Sequence, residues 1–201
     1  TATGLVAGNY TCTITDANTC SITKTVTVGQ PTAITATTSF TNVSCNGGNS
    51  GKASVSASGG TGSLGYSWAP SGGTAATATG LAAGNYTCTI TDANTCTITK
   101  TVTIGQPSLL VASSFASSIS CNGGVSSVTV SATGGTPAYS GVGTYTMMAG
   151  TNTYTVTDAN GCSATATVNV TEPSILVANA NASAISCNGG ISSVTVSATG
   201  G

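Results

Sequence analysis

Two short motifs alternate along this chain, and three copies of each are present. The first is Thr-Asp-Ala-Asn with a Cys two residues further on, and the second is Ser-Cys-Asn-Gly-Gly. The first occupies residues 15–20, 91–96 and 157–162, and the second occupies residues 44–48, 120–124 and 186–190. Self-similarity at such a regular spacing is the signature of a repeat array. We therefore expect tandem copies of a single module, in which a unique active site would be out of place.

Proline-containing tripeptides mark where one module ends and the next begins. Gly-Gln-Pro occurs at 29–31 and 105–107, and Thr-Glu-Pro occurs at 171–173. Because Pro fixes its own φ and cannot continue a central strand, it suits a joint. The predicted divisions are the C-terminal half of a repeat (1–31), a complete repeat (32–107), a shorter complete repeat (108–173) and the N-terminal half of a repeat (174–201). Such an array is expected to belong to a longer protein.

Alternation of apolar and hydroxyl side chains predicts β-strands. From Tyr86 to Ile90 the apolar residues occupy one phase and Thr the other, and the pattern resumes from Ile98 to Ile104 after an Asp-Ala-Asn turn. A period of two with β-branched residues indicates a hairpin with one buried face. Turn signals recur about every 8–12 residues, as in sandwich domains, and no window has a helical period. The predicted fold is all-β, with tandem immunoglobulin-like (PKD-like) β-sandwich modules stacked end to end.

Aromatic side chains on the apolar phase are predicted to lie in the module cores. These core aromatics are Tyr10, Tyr66, Trp68, Tyr86 and Tyr154. Tyr86 precedes Cys88 by two residues, as in the tyrosine corner, where the hydroxyl bonds back to the backbone. The strand that would carry a bridging partner for Cys88 contains no Cys. Cys88 and the equivalent Cys12 are therefore predicted to be buried free thiols.

Composition argues against several classes of function. The 201 residues include 3 Lys or Arg, 4 Asp or Glu and no His, for a net charge of −1. The chain therefore offers no basic surface for nucleic acid, and its apolar runs are too short for membrane insertion. Without His, a Cys-x-x-Cys pair or paired carboxylates, we expect no metal site, no cofactor, no catalytic residue and no enzyme activity.

The eight cysteines indicate an oxidising, extracellular compartment. The disulfide candidates are Cys20, Cys45, Cys96, Cys121, Cys162 and Cys187. The two Cys motifs are expected at opposite poles of a sandwich, about 33 Å apart for a strand of about ten residues. A disulfide needs Cα atoms within about 7 Å. Modules meeting pole to pole would bring Cys45 to Cys162, which is the favoured inter-repeat pair. The alternative is closure within repeats, Cys45 with Cys96 and Cys121 with Cys162.

Several segments together resemble a known family. They are residues 43–48 (Val-Ser-Cys-Asn-Gly-Gly), 57–61, 66–68 (Tyr-Ser-Trp), 80–86 and 91–94. In this order they closely resemble SprB-type repeats, which build giant cell-surface adhesins of gliding Bacteroidetes. The resemblance implies an extracellular filamentous adhesin, exported by type IX secretion, that contacts solid substrata or surface polysaccharide. It implies no catalytic residue.

The leading hypothesis is therefore a structural stalk or filament segment of a very large bacterial adhesin, providing reach and surface attachment. Its partners would be neighbouring repeats, other copies in a filament, and polysaccharide or substratum at the distal end. The alternative is a carbohydrate- or ice-binding module that uses the Thr-rich sheet faces. Thr is also the ordinary residue on the outer face of a strand, which is the simpler explanation of those rows.

Overall fold

The computed structural model describes residues 1–201, and all of its regular elements are β-strands. The prediction of an all-β chain is confirmed. No helix has the length and hydropathy needed to cross a membrane. The strands are β1 Gly8–Thr15, β2 Ser21–Val28, β3 Thr35–Thr41, β4 Gly51–Ser58, β5 Gly65–Ala69, β6 Thr77–Leu81, β7 Gly84–Thr91, β8 Thr97–Ile104, β9 Val111–Ala116, β10 Ser126–Thr133, β11 Gly143–Met147, β12 Gly150–Thr157, β13 Ser163–Val170, β14 Val177–Ala182 and β15 Val194–Thr199.

The chain divides into two compact units. The first contains Thr1–Asn42 and Asn49–Gly105, and the second contains Val43–Gly48 and Gln106–Gly201. The short segment Val43–Gly48 follows β3 in sequence, yet it belongs to the second unit. The four repeat boundaries drawn from the sequence stay a prediction.

In the first unit, six strands form two antiparallel three-stranded sheets, in the orders β3-β4-β6 and β5-β7-β8. Strands β3 and β4 pack against β8. This division resembles an immunoglobulin-like sandwich without its fourth strand. The immunoglobulin-like assignment stays a prediction, because the inter-sheet disulfide typical of antibody domains is absent.

The alternating sequence pattern accounts for the core of this unit. In β7 the side chains of Tyr86, Cys88 and Ile90 are buried, whereas the intervening Thr residues are half-buried. Trp68 is buried opposite Cys88. The Tyr86 hydroxyl donates a hydrogen bond to the Ala82 carbonyl at 3.2 Å, which is the backward turn expected of that residue.

In the second unit, β9, β10 and β11 form a sheet in the order β11-β10-β9, and β12 pairs with β13. Strand β9 packs on β13. The equivalent of β5 is reduced to one bridge between Ser140 and Thr157. The ten residues by which this repeat is shorter therefore come largely from the strands between the two halves of the sandwich, and the core remains.

Two hairpins, β1–β2 and β14–β15, pair with no other strand. This corrects one expectation, because Cys12 on β1 is a free but exposed thiol. No second sheet covers its side of the hairpin. Tyr10 is half-buried for the same reason. The core prediction is also too strong for Tyr66 and Tyr154, which are half-buried.

Candidate functional site

The Thr-Asp-Ala-Asn motif forms a tight turn organised by its carboxylate, here termed the Asp turn. In residues 158–162, Asp158 Oδ1 accepts hydrogen bonds from the backbone N–H groups of Asn160 and Cys162, each at 2.9 Å. Oδ2 accepts a third bond from the N–H of Thr136 at 2.8 Å. The carboxylate therefore holds Cys162 in place and ties the turn to the segment that follows β10.

Glycine makes room for this carboxylate. At Gly135 the backbone φ is +58°, and an added Cβ would lie 2.6 Å from Asp158 Oδ2. A side chain there would be strained and would also collide with the carboxylate. The Gly134-Gly135 dipeptide, which follows β10, is thus needed for the packing of the Asp turn.

The first complete repeat contains the same turn at residues 92–96. Asp92 accepts bonds from the N–H groups of Asn94, Cys96 and Thr61, all at 2.9 Å. The N–H bonds from Thr61 and Thr136 are the largest influence on the two carboxyls, and they hold the pKa of Asp92 and of Asp158 below its usual value. Desolvation opposes this shift without reversing it. Both side chains therefore stay ionised well into the acid range.

The Ser-Cys-Asn-Gly-Gly motif forms a compact loop, here termed the acceptor loop. In residues 44–48 the N–H of Gly48 bonds to the Cys45 carbonyl at 3.0 Å. Gln106 Oε1 accepts a hydrogen bond from the Gly47 N–H at 2.8 Å, and Asn46 Nδ2 donates to the Pro107 carbonyl at 3.0 Å. The residues that close a repeat in sequence thereby clamp its own acceptor loop.

The clamp recurs in the next repeat. Glu172 Oε2 accepts a bond from the Gly123 N–H at 2.6 Å, and Asn122 Nδ2 donates to the Pro173 carbonyl at 3.0 Å. From the sequence, the Gln-Pro and Glu-Pro dipeptides are interpreted only as boundaries between modules. Their recurrence after the first two Asn-Gly loops, each time with an acceptor side chain before Pro, is the signal that could have identified them.

A disulfide joins the acceptor loop of one predicted repeat to the Asp turn of the next. Cys45 and Cys162 are bonded, with their Cα atoms 5.7 Å apart and a sequence separation of 117. Asn160 Nδ2 adds a hydrogen bond to the Ser44 carbonyl at 3.0 Å, next to another with Thr136 Oγ1. Loop and turn are therefore held by one covalent link and one polar contact, both within the second unit.

This disulfide is the inter-repeat pair favoured from the sequence. The alternative pairs, Cys45 with Cys96 and Cys121 with Cys162, are not formed, since Cys96 and Cys121 are free. The exposed free thiols are Cys12, Cys20, Cys96, Cys121 and Cys187. Cys88 alone is buried, and desolvation raises the pKa of its thiol.

The remaining polar chemistry is modest. No group of three or more Cys, Asp or Glu side chains lies together in a way that could hold a metal ion. Every buried side-chain nitrogen and oxygen has a hydrogen-bond partner. The arrangement can hold loops and turns together, and the absence of enzyme activity stays a prediction.

Thr hydroxyls pair across the outer faces of the hairpins β1–β2, β7–β8 and β12–β13. The Oγ1 atoms of Thr87 and Thr101 lie 3.2 Å apart, and those of Thr153 and Thr167 lie 2.9 Å apart. Thr103 also donates to Asn85 Oδ1 at 2.7 Å. These rows are uncharged, and many of their hydroxyls are bonded to one another.

The family model described as the SprB repeat matches residues 37–73, which include most of β3, the first acceptor loop, β4 and β5. None of the curated proteins matches the chain significantly. The matched segment contains Cys45 and Trp68, and so covers one half of the disulfide.

Proposed function

From the SprB repeat at residues 37–73, we propose that this chain is a stalk segment of a very large adhesin on a bacterial surface. SprB repeats occur in cell-surface proteins, and a disulfide is present, as is usual for proteins exposed to an oxidising exterior. The resemblance to adhesins of gliding Bacteroidetes extends the proposal to export by type IX secretion. Contact with polysaccharide or a solid substratum would occur at the distal end.

The observation that carries the stalk role is the Cys45–Cys162 link. A stalk transmits force along its backbone between a cell and a surface. The disulfide connects two residues that are 117 positions apart in sequence. Force applied to the chain ends is therefore carried by the Cys45–Cys162 bond, and the chain between the two cysteines is not stretched. At about 3.5 Å per extended residue, the link withholds about 400 Å of chain from extension. Most of two predicted repeats is thereby protected from being pulled out.

Single-molecule stretching of the 201-residue chain, held by handles at its two ends, tests this role. Adding a reducing agent should lengthen the fully extended chain by about 400 Å. The Cys45→Ser variant should have the longer contour without reductant. The matched control is Cys121→Ser, which removes a free thiol at the same place in the next acceptor loop and should behave as the unmodified chain. Equal contour lengths with and without reductant would contradict the proposal.

The cellular part of the proposal has its own test. Antibodies raised against the chain should label intact cells of the source bacterium, along fibres that extend from the outer surface. Labelling only after the cells are broken open would count against a surface stalk.

The Thr rows favour a second candidate, the binding of carbohydrate or ice. They present a regular, uncharged face of methyl and hydroxyl groups in each hairpin. Hydroxyls that bond to one another, such as Thr87 with Thr101, are less available to a ligand, so this function ranks second. Glycan arrays and thermal hysteresis on the chain, with Thr99→Lys and Thr101→Lys against unmodified protein, would detect it. A ligand lost in both variants would support this second candidate.

A further inference from the structure

The chain contains Asn-Gly dipeptides at residues 46–47, 122–123, 160–161 and 188–189. Such a dipeptide is prone to a spontaneous reaction of the protein chain with itself. The backbone nitrogen of Gly attacks the side-chain carbonyl carbon of the preceding Asn, and Gly has no side chain to hinder the approach. All of these residues are exposed, so water is present for the hydrolysis that follows.

The reaction, a deamidation, balances without an oxidant, a reductant or a cofactor. The Gly N–H loses its proton to a base in the solvent, and the nitrogen forms a bond to the Asn Cγ. The Cγ–Nδ2 bond then breaks, and Nδ2 takes up a proton and leaves as ammonia. Water opens the resulting ring and leaves Asp or isoaspartate, in which the main chain runs through the side-chain carboxyl. Two groups must therefore be free, the N–H that attacks and the amide that departs.

In the first acceptor loop both of these groups are held. The Gly47 N–H donates to Gln106 Oε1 at 2.8 Å, and Asn46 Nδ2 donates to the Pro107 carbonyl at 3.0 Å. Breaking either bond costs free energy before the ring can form. Gln106 therefore withholds the attacking nitrogen, and Pro107 fixes the side chain that would be attacked.

The second acceptor loop has the same arrangement with a charged acceptor. The Gly123 N–H donates to Glu172 Oε2 at 2.6 Å, and Asn122 Nδ2 donates to the Pro173 carbonyl at 3.0 Å. A carboxylate makes a stronger bond than an amide oxygen does, and its negative charge opposes removal of a proton from the nearby nitrogen. The second loop should therefore be better protected than the first.

The Asn-Gly dipeptide of the Asp turn is held by other partners. The Gly161 N–H donates to the Asp158 carbonyl at 3.0 Å. Asn160 Nδ2 donates to the Ser44 carbonyl and to Thr136 Oγ1, each at 3.0 Å. Sites of different construction thus share one property, which is that the attacking N–H and the departing amide are both bonded.

The acceptor loop needs both residues of this reactive dipeptide. Gly47 and Gly123 have φ values of +73° and +77°, in the left-handed region where most side chains are strained. Asn46 and Asn122 supply the donor to the Pro carbonyl. An ionised Asp has no donor to offer in their place. Only the surroundings of the dipeptide, and not its sequence, can therefore slow the reaction.

We propose that the acceptor loops are sites of spontaneous deamidation, and that the side chain before each closing Pro, Gln106 or Glu172, slows it. At Asn46 the product is a carboxylate, which cannot donate to the Pro107 carbonyl and repels that oxygen. Its formation releases the loop beside Cys45, which is one half of the disulfide. The bond to Gln106 thus sets the chemical lifetime of the linkage between acceptor loop and Asp turn. This chemistry is independent of the stalk role.

Ageing of the 201-residue chain and its variants tests this protection. The proteins are kept in mildly alkaline buffer at body temperature and digested with an acid-active protease, which adds no deamidation. Chromatography with mass spectrometry then separates each Asn-Gly peptide from its Asp and isoaspartate forms. Gln106→Ala should raise the rate at Asn46 about fivefold, the factor equivalent to the roughly 1 kcal/mol that such a hydrogen bond contributes. Glu172→Ala should raise the rate at Asn122 at least about tenfold, because its acceptor is charged.

Each variant contains its own control, because the other acceptor loop keeps its partner. Gln106→Ala should leave the rate at Asn122 unchanged, and Glu172→Ala should leave the rate at Asn46 unchanged. Glu172→Gln, which keeps an acceptor, should bring Asn122 only to the rate at Asn46. The dipeptide at Asn188 has neither bond and should react fastest in every sample.

Two results would overturn the proposal. Equal acceleration at both loops in either Ala variant would show that the reaction follows general unfolding and not the local bond. Unchanged rates at both loops, or a rate at Asn188 no higher than at Asn46, would show that the bonds give no protection.

Discussion

Cutting the Cys45–Cys162 link by Cys45→Ser should destabilise the chain strongly. A disulfide restricts the unfolded chain, and the loss of chain entropy grows with the length of the closed loop. For the 117 residues enclosed here the entropy is about 16 cal/mol/K, which corresponds to about 5 kcal/mol at 25 °C. Substitution also frees the acceptor loop from the turn, which removes the support for the Asn160 hydrogen bond to Ser44. The expected change in free energy of unfolding is therefore close to 5 kcal/mol.

Urea denaturation followed by far-UV circular dichroism measures this change. The m-value should rise as well, because an unlinked chain exposes more surface when it unfolds. Cys162→Ser and the double variant Cys45→Ser/Cys162→Ser should match the single variant, since all three remove one bond. Cys121→Ser, the control, should stay within about 0.5 kcal/mol of the unmodified chain, as surface substitutions usually do. A loss below about 1 kcal/mol for Cys45→Ser, or an equal loss for the control, would refute the entropic argument.

Three further predictions concern the turn and the clamp. Asp158→Asn should lower the midpoint of thermal unfolding more than Asp16→Asn does, because an amide NH₂ would face the Thr136 N–H, whereas Asp16 bonds only to its own turn. The stabilisation from Asp92 and Asp158 should be fully present above the unfolded carboxyl pKa of about 3.9. It should be lost as the pH falls through the lower pKa values that these side chains have in the folded chain. Thermal scans between about pH 2 and 6 would detect the decline, and the double variant Asp92→Asn/Asp158→Asn should show a smaller one. Gln106→Ala should cost about 1 kcal/mol in urea titrations through loss of the bond to the acceptor loop, and Gln30→Ala, which has no such bond, should cost less than about 0.5 kcal/mol.

The strands could be predicted from the sequence because their signal is local. In β7, apolar and Thr side chains alternate over the six residues from Tyr86 to Thr91, and the observed burial alternates with them. The Asp turn is equally local, since Asp92 bonds to N–H groups two and four residues ahead. The pair Cys45–Cys162 could be favoured because cysteine spacing limits the choices.

The clamp and the exposed Cys12 could not be predicted in the same way. Gln106 acts on Gly47, 59 residues away, and the contact is visible in the sequence only as a recurrence between repeats, not as a local pattern. Cys12 matches Cys88 in its surroundings along the chain, yet its burial depends on a facing sheet that β1–β2 does not receive. A pattern of neighbouring residues shows which side chains share a face of a strand, but not which distant segment packs against that face.

The segment Val43–Gly48 belongs to the unit that follows it, and this has an evolutionary consequence. If such an array lengthens by duplication of one repeat, each new repeat contributes both an acceptor loop for the repeat that follows and an Asp turn for the repeat that precedes it. The ten-residue difference between the two complete copies lies away from those parts, so periods of unequal size remain interchangeable. Unequal recombination can therefore change the number of repeats without altering the contacts between neighbouring repeats. Natural variants of such a gene should differ by whole repeats.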